Sequence, residues 1–351
     1  MRNKFGITII KNLLIAGALV ILTTGCTMFN DNLSPCPVKD PSGAEVTFTY
    51  KQNMLGADAF DSQVHCIDLY VFDSNGKLVS HTKETDNSLI KQGNYSTTLY
   101  LNPGTYQALA YGGLACQDSS FDPLFKSNEQ LTINEMKIKL DKKFYTSSDE
   151  KDNVVDKLHD LFYGYTSFQV NEETISPVNI DMMKDTNIIH ISLQNVSGEP
   201  IDVYDFDFTI KDNNGLLDYK NNIISDEDIT YLPFRKYNSF YDDSDADNLK
   251  SYTAVASFAV SKLSVDNTPK LIVKNNLSEA EDPTVLEIPL INYILLFKEA
   301  YHSEMTDQDY LDRENEWNFI FFLDDTKQSW AGVQIIVGDW TVRVDNVKAE
   351  N

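Results

Sequence analysis

The chain has 351 residues, with 29 Lys and Arg against 53 Asp and Glu and a formal net charge of −24 at pH 7. Such an acidic surface repels phosphate backbones, which excludes nucleic acid as a partner. The length exceeds what one hydrophobic core usually supports and predicts two domains.

The first 25 residues predict a secretory signal. Arg2, Lys4 and Lys11 flank an apolar run at 13–22, which is only about half as long as a membrane-spanning helix requires. Gly25 followed by Cys26 is typical of a lipoprotein signal, in which the cysteine is acylated, for example with palmitate, and becomes the first mature residue. The alternative is an ordinary signal in which Cys26 carries no lipid. Residues 26–43 are polar and rich in proline, and we expect a lipidated tether there.

From residue 44 the pattern changes to the two-residue alternation of β-strands. Val46, Phe48 and Tyr50 fall on one side of a half-buried strand, and Asn75-Gly76 predicts a tight hairpin turn. Strands and turns then recur about every eight to twelve residues, which is the spacing of an antiparallel sandwich. The predicted strands of this half are 44–51, 64–73, 95–101, 106–114 and, more weakly, 131–140.

One stretch of the first half has helical spacing. Within 149–163, five apolar side chains form one stripe, namely Val154, Val155, Leu158, Leu161 and Phe162. We therefore expect one short helix in or after the first domain.

A second set of strands begins near residue 188, and 211–215 predicts another hairpin turn. The predicted strands are 188–193, 201–210, 252–260, 270–273, 284–288, 317–323 and 334–344. Only 293–301 suggests a helix. The expected fold is all-β, with antiparallel β-sandwich domains at 44–183 and 184–351.

Besides Cys26 the chain has Cys36, Cys66 and Cys116. In an oxidising compartment three cysteines allow one disulfide. Cys66 falls inside a predicted strand, whereas Cys36 and Cys116 lie at loop edges, and we therefore predict a Cys36–Cys116 bond. None of the cysteines belongs to a CxxC pair, and we predict no metal site.

No motif points to catalysis or to a cofactor. The five histidines are scattered, and neither a nucleophile elbow nor a phosphate-binding glycine loop is present. The acidic run 242–247 resembles the start of a calcium loop, but Asn248 and Ala254 stand where that loop needs Gly and Glu. A solvated acidic loop is the better interpretation, and we predict a protein that is not an enzyme.

Eight short segments between residues 26 and 195 are informative through their order along the chain. They are Leu33-Ser34-Pro35-Cys36-Pro37, Phe48-Thr49-Tyr50-Lys51-Gln52-Asn53-Met54, Ala57-Asp58-Ala59-Phe60, Leu69-Tyr70-Val71-Phe72-Asp73-Ser74-Asn75-Gly76, Leu101-Asn102-Pro103-Gly104-Thr105-Tyr106, Tyr111-Gly112-Gly113-Leu114, Leu161-Phe162-Tyr163-Gly164 and Asp181-Met182-Met183-Lys184. Together these segments resemble the FimB-like anchoring subunits of type V fimbriae, which are lipoproteins.

This resemblance implies two transthyretin-like domains and a non-enzymatic role in cell adhesion. Lipid on Cys26 would hold the protein on the outer membrane at the base of a fimbrium. The domains would bind an adjacent shaft or accessory subunit by strand addition, in which an incoming strand pairs with a free sheet edge. The 334–344 strand is one candidate for that contact, and a core strand is its alternative.

A second hypothesis is a surface lipoprotein that binds glycans, since such proteins combine the same signal and tether with β-sandwich domains. Trp317, Trp330 and Trp340 are the aromatic residues that would form a sugar platform. At least two of them fall within predicted strands, which favours core positions.

Overall fold

The computed structural model describes residues 39–125, 131–141, 153–155, 158–243, 249–324, 329–337 and 340–345. Most of the strands predicted from alternation are present, and the fold is all-β with few helices. The described residues from Ser42 onward form one compact unit.

The strands of the first half, in chain order, are β1 Gly43–Gln52, β2 Ile67–Asp73, β3 Leu78–Glu84, β4 Ser96–Tyr100, β5 Gly104–Gly112, β6 Phe121–Pro123, β7 Lys137–Leu140, β8 Asn153–Val155, β9 Phe162–Val170 and β10 Ile175–Lys184. Those of the second half are β11 Asn187–Asn195, β12 Phe206–Asp212, β13 Leu216–Asp218, β14 Ile229–Tyr231, β15 Arg235–Asp243, β16 Leu249–Val260, β17 Lys270–Asn275, β18 Thr284–Pro289, β19 Glu316–Asp324, β20 Ser329–Val337 and β21 Trp340–Asp345. The helices are α1 Phe60–Gln63, α2 Asn87–Ile90, α3 Leu290–Tyr301 and α4 Asp307–Arg313, and single 3₁₀ turns lie at Ile133–Glu135 and Val203–Asp205.

A seven-stranded sheet organises the first half, in the order β3-β2-β5-β9-β10-β1-β4. Its strand β2 is buried on both faces, because Leu69 and Val71 enter a smaller core while Tyr70 and Phe72 enter a larger one. Successive side chains of a strand point to opposite faces, so a continuous apolar run is what such a strand requires.

The second half contributes a six-stranded sheet, β15-β16-β11-β19-β20-β21, and a five-stranded sheet, β18-β17-β12-β14-β8. Their alternating apolar residues join the larger core, as Phe319 and Phe321 of β19 and Phe208 of β12 illustrate. The smaller three-stranded sheet has the order β13-β7-β6. Pairing is mainly antiparallel, but β1 with β10, β11 with β19 and β8 with β14 are parallel pairs.

The predicted boundary falls where the chain leaves β10 of the seven-stranded sheet and enters β11 of the six-stranded sheet. The larger core contains residues from both sides of that point, such as Tyr111 and Phe258. The division into domains at 44–183 and 184–351 stays a prediction.

The helix predicted at 149–163 is wrong, because β8 and the start of β9 lie in that range. Val154 and Val155 are β-branched, which favours strand, and β8 pairs with the distant strand β14. The short helices α1 and α2 lie elsewhere in the first half. In the second half, the helical spacing at 293–301 is confirmed by α3.

Two other local predictions are also wrong. The segment 211–215 is not a hairpin turn, because the strands on either side of it, β12 and β13, belong to different sheets, and β13 pairs with β7. The range 334–344 does not form one long strand, because it contains the end of β20 and most of β21, which pair with each other.

Candidate partner-binding site

The predicted lipid-attachment residue Cys26 and the predicted disulfide residue Cys36 lie outside the described residues. Lipid attachment therefore stays a proposal. In the part of the chain that the structure describes, no helix has the length and apolar character needed to cross a bilayer.

The predicted Cys36–Cys116 disulfide is wrong, because Cys116 is bonded to Cys66. Cys66 directly precedes β2, and Cys116 follows the turn that ends β5. These strands are antiparallel neighbours, with Ile67 opposite Gly112. That pairing brings the two Cα atoms to 5.5 Å, a normal distance for a disulfide. The sequence did not predict this disulfide, because the spacing of the cysteines does not reveal how β2 pairs with β5.

Strand addition requires a free sheet edge, and the edges of this chain differ. The ladder of β3 with β2 has a register shift, and Leu78 at the start of β3 donates its backbone N–H to Leu131 O. The ladder of β18 with β17 is also irregular. At β21, Thr341 O already accepts a hydrogen bond from the Tyr301 hydroxyl at 2.7 Å. Short, irregular or covered edges are protected against further pairing.

The edge strand β15 has a regular ladder. It is nine residues long, and every residue from Arg235 to Asp243 pairs with β16 without a register shift. Among the strands that the structure describes, β16 is its one neighbour in the sheet. Among the described residues it is the longest edge strand, and it therefore offers the longest row of backbone groups to an incoming strand.

Exposed aromatic rings surround β15. Tyr237 is 37% exposed, Phe240 is 51% exposed, and Phe234 and Tyr204 lie beside them with 45% and 67% exposure. Tyr237 and Phe240 are three residues apart and so point to opposite faces of the sheet. We call these four residues the aromatic edge.

Local contacts hold the aromatic edge in place. The Arg235 guanidinium lies 4.5 Å from the centre of the Tyr237 ring, and the Phe240 ring lies 4.7 Å from that of Tyr252. Asn238 accepts the backbone N–H of Val203 at 2.7 Å and donates to Asp202 at 2.9 Å. The Asn238 side chain and the Tyr204 backbone N–H both donate to Asp202. These two hydrogen bonds hold the pKa of Asp202 below its usual value. The 3₁₀ turn that carries Tyr204 is thereby fixed to the middle of β15.

The start of β15 carries two basic residues, Arg235 and Lys236. Acidic residues of an incoming strand would complement them, because electrostatic complementarity fixes register. The surface as a whole combines a regular strand edge, exposed rings on both faces and basic residues at one end.

The alternation analysis did not find β15. Its sequence, RKYNSFYDD, lacks a regular apolar face, because the described side chains of the strand are mostly exposed. The neighbouring acidic run 242–247 was noticed only as a loop, and β15 extends through Asp243. The previously considered 334–344 segment includes one edge strand, β21, and the end of β20, which is internal in the sheet.

The three tryptophans occupy different environments. Trp317 is fully buried, Trp330 packs against the larger core, and Trp340 is 59% exposed at the start of β21. Within the described ranges, no group of three or more His, Cys, Asp or Glu side chains is arranged to hold a metal ion.

Residues 33–346 match the family model described as fimbrillin-A associated anchor proteins Mfa1 and Mfa2. The chain is similar to the crystal structure of a putative adhesin from Bacteroides thetaiotaomicron, with 34% identity, a TM-score of 0.77, and coverage of 90% of this chain and 100% of that one. A second crystal structure from the same organism, described as putative polysaccharide binding proteins, is 28% identical with a TM-score of 0.71 and covers 87% of this chain and 98% of its own.

The fimbrial anchor protein Mfa2 from Porphyromonas gingivalis shares the fold at 16% identity and a TM-score of 0.59, over 87% of this chain and 99% of its own. No curated protein matches the sequence.

Proposed function

Since the chain belongs to the family of fimbrillin-A associated anchor proteins, we propose that it anchors or caps a fimbrium at the outer membrane by binding the adjacent fimbrial subunit. Cys26 carries the lipid in this proposal. One acyl chain binds a membrane only marginally, whereas two or more anchor it stably. The role is non-enzymatic.

The observation that carries the subunit-binding half of the proposal is the regular outer edge of β15, which pairs with no other strand among the residues that the structure describes. A strand from the neighbouring subunit would extend the six-stranded sheet by a seventh strand. Its backbone would satisfy the free N–H and C=O groups of β15, and its side chains would contact Tyr237 on one face and Phe240 on the other. The rigid sheet behind β15 supplies a preformed template, which reduces the entropy lost on binding.

The proposal is tested in cells that assemble the fimbrium. A Cys26→Ala variant should release fimbriae into the medium, measured as the ratio of shaft protein in the supernatant to that on cells. A double variant, Tyr237→Lys with Phe240→Lys, should release them as well, because the added charges oppose strand docking at the aromatic edge.

Tyr100→Lys is the matched control, because Tyr100 is 73% exposed on β4, an edge strand of the seven-stranded sheet. This variant should retain fimbriae as the wild type does. Retention by both the Cys26 variant and the β15 variant would reject the proposal, provided that circular dichroism and surface labelling give normal fold and abundance.

A further inference from the structure

A cleft lies beside β21, the edge strand of the six-stranded sheet opposite β15. It has a volume of about 660 Å³ and is lined by the end of β1, the α4–β19 connection and the start of β21. A cleft of this size accommodates a small-molecule ligand. The proposed anchoring role makes no use of it.

The mouth of the cleft carries an exposed aromatic ring. Trp340 is 59% exposed, and its ring centre lies 5.0 Å from that of Tyr301. The Tyr301 hydroxyl donates to the backbone oxygen of Thr341 at 2.7 Å, which holds the pair of rings against β21. Tryptophan is enriched at binding interfaces, because its ring has a large apolar surface and its N–H can donate a hydrogen bond.

The lining supplies hydrogen-bonding groups with remaining capacity. Glu314 Oε1 accepts the backbone N–H groups of Asn315 at 2.9 Å and Glu316 at 3.1 Å. Among the described residues the Glu314 carboxylate has no other hydrogen bond, so its Oε2 can accept one from a ligand hydroxyl. Burial raises the pKa of Glu314, although the two backbone N–H groups oppose this shift. The amide of Asn318 makes only a long contact, 3.5 Å, to Ile336 O.

The charges in the cleft select against an anionic ligand. The two cations that line it are already paired, Lys184 with Asp160 at 3.0 Å and Arg313 with Asp309 at 2.9 Å. Glu314 and Glu316 add negative charge, and the whole chain is strongly acidic. The ligand that fits has many hydroxyl groups, an apolar face for stacking and no negative charge.

We infer that this cleft binds a neutral oligosaccharide, with one sugar ring stacked on Trp340 and its hydroxyl groups bonded to Glu314 and Asn318. Trp340 and β15 lie at opposite edges of the six-stranded sheet. Five strand spacings separate them, or about 24 Å. A strand docked at β15 therefore lies at the sheet edge opposite Trp340.

The test is affinity electrophoresis of the full chain in native gels that contain starch, yeast mannan, galactomannan, xyloglucan or laminarin, with alginate as the anionic comparison. At least one neutral polysaccharide should slow migration. The Trp340→Ala and Asn318→Ala variants should each weaken that interaction at least tenfold. Tyr100→Ala, which removes an exposed ring of β4 that does not line the cleft, should bind as the wild type does.

Acrylamide quenching of the wild-type protein gives a second measurement that needs no variant. Trp340 is the exposed member of the three tryptophans, so a bound sugar should reduce quenching. The inference is overturned if no neutral polysaccharide retards the protein, if alginate alone does, if folded Trp340→Ala and Asn318→Ala variants bind normally, or if a retarding sugar leaves quenching unchanged. Because the anchoring proposal is tested by fimbrial release and the cleft by sugar binding, failure of one is distinct from failure of the other.

Discussion

Lys262 Nζ lies 3.5 Å from Asp185 Oδ1, and both side chains are buried where the chain passes from β10 to β11. Asp312 of α4 approaches the same ammonium group at 2.7 Å, and Asn221 donates to Asp185 at 2.8 Å. Burial opposes the charge on Lys262, but the two carboxylates together raise its pKa above the usual value. The ion pair therefore joins segments that are far apart in sequence.

Replacement of Lys262 by Met should destabilise the fold by about 3–5 kcal/mol, because it leaves the fully buried Asp185 without its counter-charge. The free energy of unfolding in urea measures this effect. Lys270→Met is the control, since Lys270 forms a 2.8 Å pair with Glu287 in which both side chains are about half exposed, and such pairs contribute less than about 1 kcal/mol. Equal losses in the two variants would contradict the assigned role of the buried pair.

Asp212 should make stability depend on pH. Burial raises the pKa of Asp212 from its ordinary value of 3.8 to about 6, against the opposing hydrogen bonds from Asn213 and Asn267. A raised pKa favours the protonated form in the folded state, so the stabilisation is complete below about pH 4 and is lost as the pH rises through 6. The loss should be about 1–3 kcal/mol between pH 4 and 7.

The free energy of unfolding in urea, measured at pH 4, 5, 6 and 7, gives the slope of stability against pH. Asp212→Asn should flatten it, whereas Asp207→Asn, which removes a charge from an exposed position of the same strand, should leave it in place. The explanation fails if both variants retain the wild-type slope.

The Cys66–Cys116 bond closes a loop with a sequence separation of 50, and its removal should cost about 2–4 kcal/mol. A Cys66→Ser, Cys116→Ser double variant should therefore unfold at a lower urea concentration. Non-reducing peptide mapping should recover the 66–116 cross-link from the wild type and also from Cys36→Ser. Recovery of a Cys36–Cys116 peptide would instead support the pairing predicted from the sequence.

Gly113 should not tolerate a side chain. Its φ is +90°, and an added Cβ would collide with the backbone oxygen of Asp160. Gly113→Ala should therefore be more destabilising than Gly56→Ala, which also has a positive φ of +68° but has open space around it. Only the backbone cost of about 1 kcal/mol is expected at Gly56. Thermal unfolding of the two variants compares them, and an equal shift would exclude the steric clash.

Residue alternation was sufficient to predict β1, β2 and β19, because each has a regular apolar face or an apolar run that matches its burial. It failed for β15, whose exposed side chains give no such pattern, and for β8, whose pairing partner β14 is far away in the sequence. The resemblance to FimB-like anchoring subunits predicted the family correctly. Neither approach revealed which sheet edge is unprotected, since that depends on how distant strands and loops cover one another.

Site-specific photo-crosslinking in fimbriated cells tests subunit binding most directly. A benzophenone side chain placed at Tyr237 or Phe240 should form an adduct with a fimbrial subunit, and mass spectrometry should map the adduct to one extended segment of that subunit. The same group at Tyr100 should give no such adduct. Adducts from Tyr100 alone, or none from either β15 position in cells with intact fimbriae, would contradict the docking of a subunit strand at β15.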